Sequence, residues 1–311
     1  KIFWYKWVET EEYILKLVSF QYKESKKSSS GILLEDNILD LGKTFNFDSI
    51  NEIINQIDLN CFNKISIESV SFISPIINPT SLRDAYAFRQ HVEAGRKSRG
   101  LEMIPEYDKF PVFYYGNHNA IGGSGQVLIN KNQSKKLDYE LEVAAIIGKG
   151  GKNISVSDAD DYIMGYTIMN DFSARHLQKE EMKLSLGPAK GKDFLTTLGP
   201  YIITKDELDD KCITGEFGNR YDLNMYAYLN GELLSKDNFK NISWTFAQII
   251  SRISDGTEIY PGDVIGSGTC ATGCLLELNQ TNKTNIWMND GDEIKLVIDR
   301  MGSLVNTIKF V

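Results

Sequence analysis

The sequence predicts a β-rich α+β protein, with a small amino-terminal β domain at residues 1–75 and a larger mixed domain at residues 76–311. Three observations support this prediction. Short runs that alternate apolar and polar residues fill residues 1–73, as is typical of half-buried strands. The Pro-containing segment SPIINPTS then has the composition of a linker. From about residue 137 strand-like runs dominate, interrupted by predicted helices near 172–183 and 243–254.

Composition is that of an ordinary globular protein. The chain has 311 residues, of which 42% are hydrophobic and 24% are charged, enough for a sizeable core. The formal net charge is −8 and no stretch concentrates Lys and Arg with aromatic residues, so we expect no nucleic-acid partner. The first residues lack a basic stretch followed by an apolar core, and no apolar run approaches about 18 residues. We therefore expect a cytoplasmic protein with no membrane partner.

In the amino-terminal domain the strands are expected within KIFWYKWV, YILKLVSFQY and SGILLEDNILDL. The polar stretch KESKKSSSG between two of these runs predicts a solvated hairpin tip or short loop.

After the linker, Thr80 and Ser81 are start signals for a helix over LRDAYAFRQHVEAGRKSRG. On such a helix Asp84 and His91 are seven residues apart, nearly two turns, so both side chains would project from one face. One helix could then supply both a metal ligand and a base. The alternative is that His91 is a partly buried surface histidine with a single hydrogen bond.

The later strands are expected in DYELEVAAIIG, DDYIMGYTIMN, PYIITKDEL, LNMYAYLNGELL, DVIGSG, CLLELNQ and DEIKLVIDRMGSLVNTI. In the first of these, Glu140 and Glu142 are separated by one apolar residue, so on a strand both carboxylates leave the same face. Two adjacent anions cannot both stay ionised cheaply without a cation. A hard divalent cation with oxygen ligands, Mg²⁺ or Ca²⁺, resolves this conflict.

Asp171 is predicted to begin the helix FSARHLQKEEM as its N-cap, with Arg175 and Gln178 on the same face. The Gly/Pro-rich loop LGPAKGKDFLTTLGP follows and carries Lys190 and Lys192. It lacks G-x-x-x-x-G-K-[ST], which excludes a nucleotide-binding loop of that type. Lysine on this loop can instead offset the charge of the carboxylates and bind an anionic substrate.

Four cysteines, at positions 61, 212, 270 and 274, are too few for a disulfide scaffold and suit a reducing compartment. Cys270 and Cys274 do not have the C-x₂-C spacing and no second Cys/His pair accompanies them, so we expect small loop residues rather than zinc ligands.

Taken together, these segments resemble the fumarylacetoacetate hydrolase family from about residue 81 to 311. The resemblance rests on seven blocks in the family's order: DAYAFRQH, FPVFYYG, DYELEVA, IMNDFSARHLQ, LGPAKGKDF, IGSGT and CLLEL. The first 75 or so residues resemble the family's small β domain in size and pattern only. The family's fold implies that the larger domain is a mixed β-sheet roll that carries the catalytic site, and that the protein is a homodimer.

The resemblance also implies roles for individual residues. The four acidic metal ligands would be Asp84, Glu140, Glu142 and Asp171. His91 matches the histidine that activates water, and Glu277 matches the carboxylate that orients it. Further catalytic positions match Lys192, Arg175 and Gln178, with Thr196 near the metal. Positions that contact substrate match Tyr86, Tyr114, Gln178 and Thr269.

Some positions depart from the family's pattern. Met182 stands where the fumarylacetoacetases carry a further substrate-contacting tyrosine. The arginine that they use after the histidine is out of register, with Gly100 at that spacing and Arg99 one residue early. These departures concern the substrate more than the reaction.

The function implied is a metal-dependent hydrolase that cleaves a carbon–carbon bond in a β-diketo or acylpyruvate-type acid. Such cleavage leaves a carbanion, and a divalent cation, Mg²⁺ by expectation with Mn²⁺ or Ca²⁺ as alternatives, acts as a Lewis acid on it. A 2-oxo acid decarboxylase, a sugar-acid dehydratase or a keto–enol isomerase could use the same chemistry. A catalytically silent protein that binds oxo acids is a third possibility.

Overall fold

Strands outnumber helices in the computed structural model, which describes residues 15–44, 62–97, 100–185 and 187–311. This confirms the predicted β-rich α+β class. The strand expected in KIFWYKWV lies outside the described residues, as does Cys61. No helix in the described ranges is long and apolar enough to cross a membrane.

The strands of the first half of the chain are β1 (Lys16–Tyr22), β2 (Ser28–Leu34), β3 (Asn37–Asp40), β4 (Asn63–Ser66), β5 (Val70–Phe72), β6 (Leu82–Ala85), β7 (Phe113–Gly116), β8 (Ile121–Gly122), β9 (Gly125–Ile129), β10 (Leu137–Asp138), β11 (Leu141–Ile147) and β12 (Gly151–Lys152). The remaining strands are β13 (Ile163–Asp171), β14 (Ser173–Ala174), β15 (Thr196–Thr204), β16 (Cys212–Ile213), β17 (Arg220–Tyr221), β18 (Asn224–Leu229), β19 (Glu232–Asn238), β20 (Glu258–Ile259), β21 (Val264–Gly266), β22 (Glu293–Ile298) and β23 (Gly302–Phe310). The α-helices are α1 (Arg89–Lys97), α2 (Val156–Ala159), α3 (Arg175–Glu181), α4 (Phe246–Ser254) and α5 (Leu275–Asn282).

A twelve-stranded sheet forms the body of the molecule, in the order β4-β3-β2-β1-β15-β13-β11-β21-β6-β7, with β5 and β8 paired at its side. Strand β1 pairs antiparallel with β15, and Leu17 lies opposite Ile202. The sheet is therefore continuous across residue 75, although the domain boundary itself stays a prediction.

The central strands of this sheet are buried on both faces. In β11, Val143 and Ala145 belong to one hydrophobic cluster, whereas Ala144 and Ile146 belong to a second. The first cluster lies where a five-stranded sheet, ordered β19-β18-β22-β23-β9, packs against β11, β13 and β15. Each fully buried aliphatic side chain stabilises the fold by roughly 1.5–3 kcal/mol. The polar residues near the ends of β11 and β13 are thus held on a rigid frame.

Two predicted elements are wrong. Residues 82–85 form strand β6, between β21 and β7, and the helix begins only at Arg89. Residues 275–282, predicted as a strand in CLLELNQ, form helix α5. The helix predicted near 243–254 is confirmed as α4, which begins with a capping box between Thr245 and Gln248.

Candidate active site

Three carboxylates on strands of the twelve-stranded sheet form the centre of the candidate site. Asp84 lies in β6, Glu142 in β11 and Asp171 at the end of β13. One oxygen from each lies within 4.8 Å of the others, and all three residues are buried. Glu140 lies just before β11 rather than on the strand, and is also buried.

Two glycines allow the carboxylates to approach this closely. A Cβ on Gly266 would lie 2.4 Å from Oδ1 of Asp84 and 3.0 Å from Oε2 of Glu142. Gly268 has a φ of +76°, in the left-handed region, and its N–H donates to both of these carboxylate oxygens at 3.0 Å. The backbone therefore provides a cradle that only glycine fits.

Two buried cations neutralise part of this negative charge. Lys192 ion-pairs with Glu140, and its Nζ lies 2.5 Å from Oδ2 of Asp171. Arg175 donates from Nη2 to Oε1 of Glu140 at 2.6 Å and from Nε to Oδ2 of Asp138 at 2.8 Å. The five buried carboxylates still outnumber the two cations, so the site retains an excess of negative charge.

The pKa values reflect this excess. Burial, together with the charge of Asp171, raises the pKa of Asp84 to about 7. Burial and the charge of Asp84 raise the pKa of Glu142 well above its ordinary value. Burial also opposes ionisation of Glu140, but Lys192 and then Arg175 lower its pKa below the ordinary range. Carboxylates that would otherwise hold protons, with only oxygen donors, fit a hard divalent cation such as Mg²⁺.

A histidine–carboxylate pair lies beside the carboxylates, where helices α1 and α5 meet. Nδ1 of His91 lies 2.7 Å from Oε2 of Glu277, and both side chains are largely buried. The ring of Tyr86 contacts the imidazole edge to face, with 5.9 Å between the ring centroids. One ring nitrogen of His91 lies within 4.8 Å of a carboxylate oxygen of Glu140. The pair therefore faces the carboxylate cluster.

The other residues predicted for the site lie around it. Tyr114 donates to Oδ2 of Asp171 at 2.6 Å, and Thr269 Oγ1 lies 3.5 Å from Oε1 of Glu142. Gln178 accepts from Nη1 of Arg175 at 2.9 Å. Thr196, buried at the start of β15, lies opposite Asp171 in the ladder. The catalytic and binding roles of these residues stay predictions.

Two details of the sequence prediction are corrected by the geometry. Asp84 and His91 do not share a helix, because Asp84 lies on β6 and α1 starts five residues later. Asp171 is not a helix N-cap, because it ends β13 and the residue before α3 is Ala174. Of the two lysines on the Gly/Pro-rich loop, Lys190 is exposed and pairs with Asp193, whereas Lys192 is buried beside the carboxylates.

The departures from the family's pattern lie at the edge of the site or beyond the described residues. Met182 is 49% exposed and follows α3 directly. Arg99 falls outside the described ranges.

Asp138 was missed from the sequence. It is fully buried, and its Oδ1 accepts from the N–H of Leu275 at 2.7 Å. Its Oδ2 accepts from the N–H of Leu276 at 3.0 Å, besides Arg175. Asp138 thus joins α3 to the start of the helix that carries Glu277. In the sequence it is the first residue of the block DYELEVA, and nothing there indicates its contacts with the two helices.

The fold and the site together define a β-rich enzyme architecture with a buried acidic cluster and an adjacent histidine–glutamate pair. The family model described as "Fumarylacetoacetate (FAA) hydrolase C-terminal" matches residues 80–309. The chain therefore belongs to the fumarylacetoacetate hydrolase family, whose enzymes include hydrolases and isomerases and bind divalent metal ions.

Curated relatives support this assignment. The chain is 30% identical over 314 residues to the "Fumarylacetoacetate hydrolase domain-containing protein 2 homolog" of Dictyostelium discoideum, with 95% of this chain and 98% of the relative covered. It is 31% identical over 265 residues to the fumarylacetoacetase of Arabidopsis thaliana, with 68% of this chain covered. The match spans 63% of that fumarylacetoacetase's length and 56% of the one from Oryza sativa subsp. japonica.

Solved structures share the fold. A fumarylacetoacetate hydrolase from Exiguobacterium antarcticum superposes with a TM-score of 0.74 at 23% identity, covering 96% of this chain and 100% of that chain. A 5-carboxymethyl-2-hydroxymuconate delta-isomerase from Mycobacterium smegmatis superposes with a TM-score of 0.69 at 20% identity, with the same coverage.

Proposed function

We propose that the chain is a metal-dependent hydrolase that cleaves a carbon–carbon bond in a β-diketo or acylpyruvate-type acid. The observation that carries this proposal is the contact of His91 with Glu277, with both side chains largely buried and a ring nitrogen of His91 within 4.8 Å of an oxygen of Glu140. A base held in this way beside a cluster of carboxylates is suited to activating water. Decarboxylation, in contrast, requires no activated water.

The metal in this proposal is Mg²⁺, with Mn²⁺ or Ca²⁺ as alternatives. Asp84, Glu140, Glu142 and Asp171 would hold it, because their buried oxygens are the ligands that hard cations prefer. When bound, such a cation supplies a Lewis acid that polarises the carbonyl oxygens of the substrate.

His91 is the general base of the proposed reaction. An ionised Glu277 can only accept, so Nδ1 of His91 donates its proton to Glu277 and Nε2 keeps its lone pair. Nε2 then takes a proton from water, and Glu277 stabilises the imidazolium that results. General-base catalysis of this kind contributes about 10²–10⁴-fold to the rate.

The remaining residues bind and orient the substrate. Lys192 and Gln178 would steady the oxygens of the leaving enolate, and Arg175 fixes both Glu140 and Gln178. Tyr86, between β6 and α1, and Thr269, in the loop after β21, would contact the acid.

The test is steady-state hydrolysis of acetylpyruvate by metal-stripped protein, with and without added Mg²⁺ or Mn²⁺. We expect metal-dependent cleavage that His91→Ala lowers by about 10²–10⁴-fold. His118→Ala is the matched control, because His118 is an exposed loop residue, and it should leave the rate unchanged.

Other outcomes point to other functions. Metal-dependent turnover of oxaloacetate alone, insensitive to His91→Ala, would contradict hydrolysis and support a decarboxylase. Isomerisation without cleavage would support the keto–enol isomerase alternative, since an isomerase shares this fold. Turnover of none of these acids would support a protein that only binds oxo acids.

The homodimer implied by the resemblance also stays a proposal. A solution mass near twice the 35.2 kDa of one chain would support it, and a mass near that of a single chain would contradict it.

A further inference from the structure

Cys274 lies close to two residues of the candidate site. It is fully buried and directly precedes helix α5. Its Sγ, a ring nitrogen of His91 and a carboxylate oxygen of Glu140 all lie within 4.8 Å of one another. A thiol, an imidazole and a carboxylate therefore converge on one point, beside the all-oxygen group of Asp84, Glu142 and Asp171.

This donor set differs in chemistry from the neighbouring carboxylates. Thiolate and imidazole favour zinc and other borderline metals, whereas carboxylates alone favour Mg²⁺ or Ca²⁺. The three ligands come from α1, from the residue before β11 and from the start of α5. No local spacing could reveal such a set, which is why Cys274 was expected to be only a small loop residue.

The surroundings of His91 suit metal binding. Glu277 holds Nδ1, so Nε2 is the nitrogen that remains for a metal. Metal-binding histidines almost always bond a carboxylate or carbonyl through the other nitrogen in this way. Arg175 and Lys192 each bond one oxygen of Glu140, and an ionised carboxylate has about four lone-pair sites, so Glu140 can contribute to both groups of ligands.

We propose that His91, Glu140 and Cys274 form a second metal site, for a thiophilic divalent cation such as Zn²⁺, adjacent to the four-carboxylate site and sharing Glu140 with it. When the sulfur–metal bond forms, the thiol of Cys274 releases its proton to solvent and neutral His91 contributes its lone pair. Burial raises the pKa of Cys274 well above its ordinary value, so this proton is still present before the metal binds.

The test of binding uses Co²⁺ as a spectroscopic substitute for Zn²⁺, titrated into the full chain in the presence of Mg²⁺. We expect a cobalt–thiolate charge-transfer band that saturates at one Co²⁺ per chain and disappears when Zn²⁺ is added. Cys274→Ser should abolish the band. Cys270→Ser is the matched control, because Cys270 is equally buried but lies outside the ligand group, and it should keep the band.

A band that persists in Cys274→Ser, or no band in the folded wild-type chain, would overturn the site. Circular dichroism reports whether each variant folds. If Cys274→Ser does not fold, Zn²⁺ affinity of His91→Ala decides instead. A loss of at least about tenfold supports the site, and unchanged affinity overturns it.

The expected effect of Zn²⁺ on activity rests on the proposed function, whereas the binding of Zn²⁺ does not. Because Zn²⁺ would occupy the lone pair of His91, it should inhibit the Mg²⁺-dependent cleavage of acetylpyruvate in the wild-type chain. Inhibition is expressed relative to each variant's own zinc-free rate, and Cys274→Ser should need at least about tenfold more Zn²⁺ for the same inhibition. Absence of any cleavage would contradict the proposed function alone, while the cobalt band still decides the metal site. A wild-type chain that binds Zn²⁺ and stays fully active would contradict the predicted inhibition by Zn²⁺.

Discussion

At the scale of single residues, Gly266 determines how closely two carboxylates of the candidate site approach. Its backbone is not in the left-handed region, so alanine is tolerated conformationally and the effect of Gly266→Ala is purely steric. The new Cβ would lie 2.4 Å from both Oδ1 of Asp84 and Cε of Met169. Overpacking of this kind costs typically about 1–3 kcal/mol.

We therefore expect Gly266→Ala to destabilise the protein by about 1–3 kcal/mol and to lower its Mg²⁺ affinity by at least about tenfold. Urea unfolding and calorimetric Mg²⁺ titration measure the two effects. Gly215→Ala is the matched control, because its Cβ would meet nothing closer than 3.4 Å and its φ is ordinary. Equal Mg²⁺ affinity in the two variants would remove Gly266 from the proposed metal site.

The raised pKa values of the site predict how metal binding depends on pH. Below about pH 7 Asp84 holds a proton, and the raised pKa of Glu142 also favours its protonated form, so Mg²⁺ must displace protons as it binds. Above the pKa of each group no proton competes. Affinity should therefore fall as the pH is lowered through 7, by about tenfold per pH unit for each proton displaced.

Calorimetric titration of Mg²⁺ at several pH values, in buffers of different ionisation enthalpy, measures both the affinity and the protons released. Affinity that stays constant between about pH 5.5 and 8 would contradict the assigned pKa directions.

The sequence indicates most of the charged residues that the structure brings together, but not Asp138 or the glycines that support them. The spacing of Glu140 and Glu142 indicates a pair of carboxylates on one face of a strand, and the family blocks indicate His91 and Glu277. Gly266 and Asp138 also lie in such blocks, IGSGT and DYELEVA, but nothing in those blocks indicates their roles. Their importance depends on atoms from strands and helices that are distant in sequence, and a glycine contributes no chemistry of its own.

At the scale of elements, Asp138 connects the two helices that flank the site. It accepts two N–H bonds from the first turn of α5 and one bond from the guanidinium of Arg175 on α3. Negative charge at a helix N-terminus is stabilising. Glu277 lies in that first turn, so Asp138 positions the carboxylate that contacts His91.

We expect Asp138→Asn to destabilise the protein by about 3 kcal/mol, because it leaves part of the buried charge of Arg175 unpaired. The rate of the proposed reaction should also fall, since Glu277 loses its support. Urea unfolding and kcat measure the two effects. Asp161→Asn is the control: its side chain is 84% exposed, so its stability should change by less than about 0.5 kcal/mol. Equal stability of the two variants would contradict the role of Asp138.

The two wrong element predictions have a common physical cause. Thr80 and Ser81 are good helix-start residues, but residues 82–85 pair with β21 and β7, and long-range ladders override local propensity. For α5, the residue before the helix is Cys274, which is not a preferred N-cap. The cap comes instead from Asp138, which lies far away in the sequence. A short apolar run without a local start signal resembles a strand.

At the scale of the whole molecule, three carboxylates of the candidate site lie on strands of the main sheet. The carboxylates at 84, 142 and 171 lie on β6, β11 and β13 of the twelve-stranded sheet, to which β1 also belongs. Charge repulsion at the site therefore acts on strands that hold the molecule together. Its effect should be measurable in the unfolding of the entire chain.

The last prediction concerns the pH dependence of stability with and without metal. Burial raises the pKa values of Asp84, Glu142, Asp138 and Asp171, so the folded state binds more protons than the unfolded state above about pH 4. The stability contributed by these groups is present below their unfolded pKa and is lost as the pH rises through the folded values, for Asp84 through about 7. The lowered pKa of Glu140 has the opposite sign, but its contribution is already complete above the ordinary glutamate range.

Metal-stripped protein should therefore lose thermal stability between about pH 5 and 8. Mg²⁺ binds the folded state and offsets this loss, by about 2.7 kcal/mol at a hundredfold excess over Kd, which corresponds to roughly 5 °C in Tm. The stabilisation should be largest at the alkaline end of the range, where fewer protons compete for the carboxylates. Differential scanning calorimetry with EDTA and with excess Mg²⁺ measures both curves. If the curves of Tm against pH with EDTA and with Mg²⁺ stay parallel across this range, the buried carboxylates do not form the metal site.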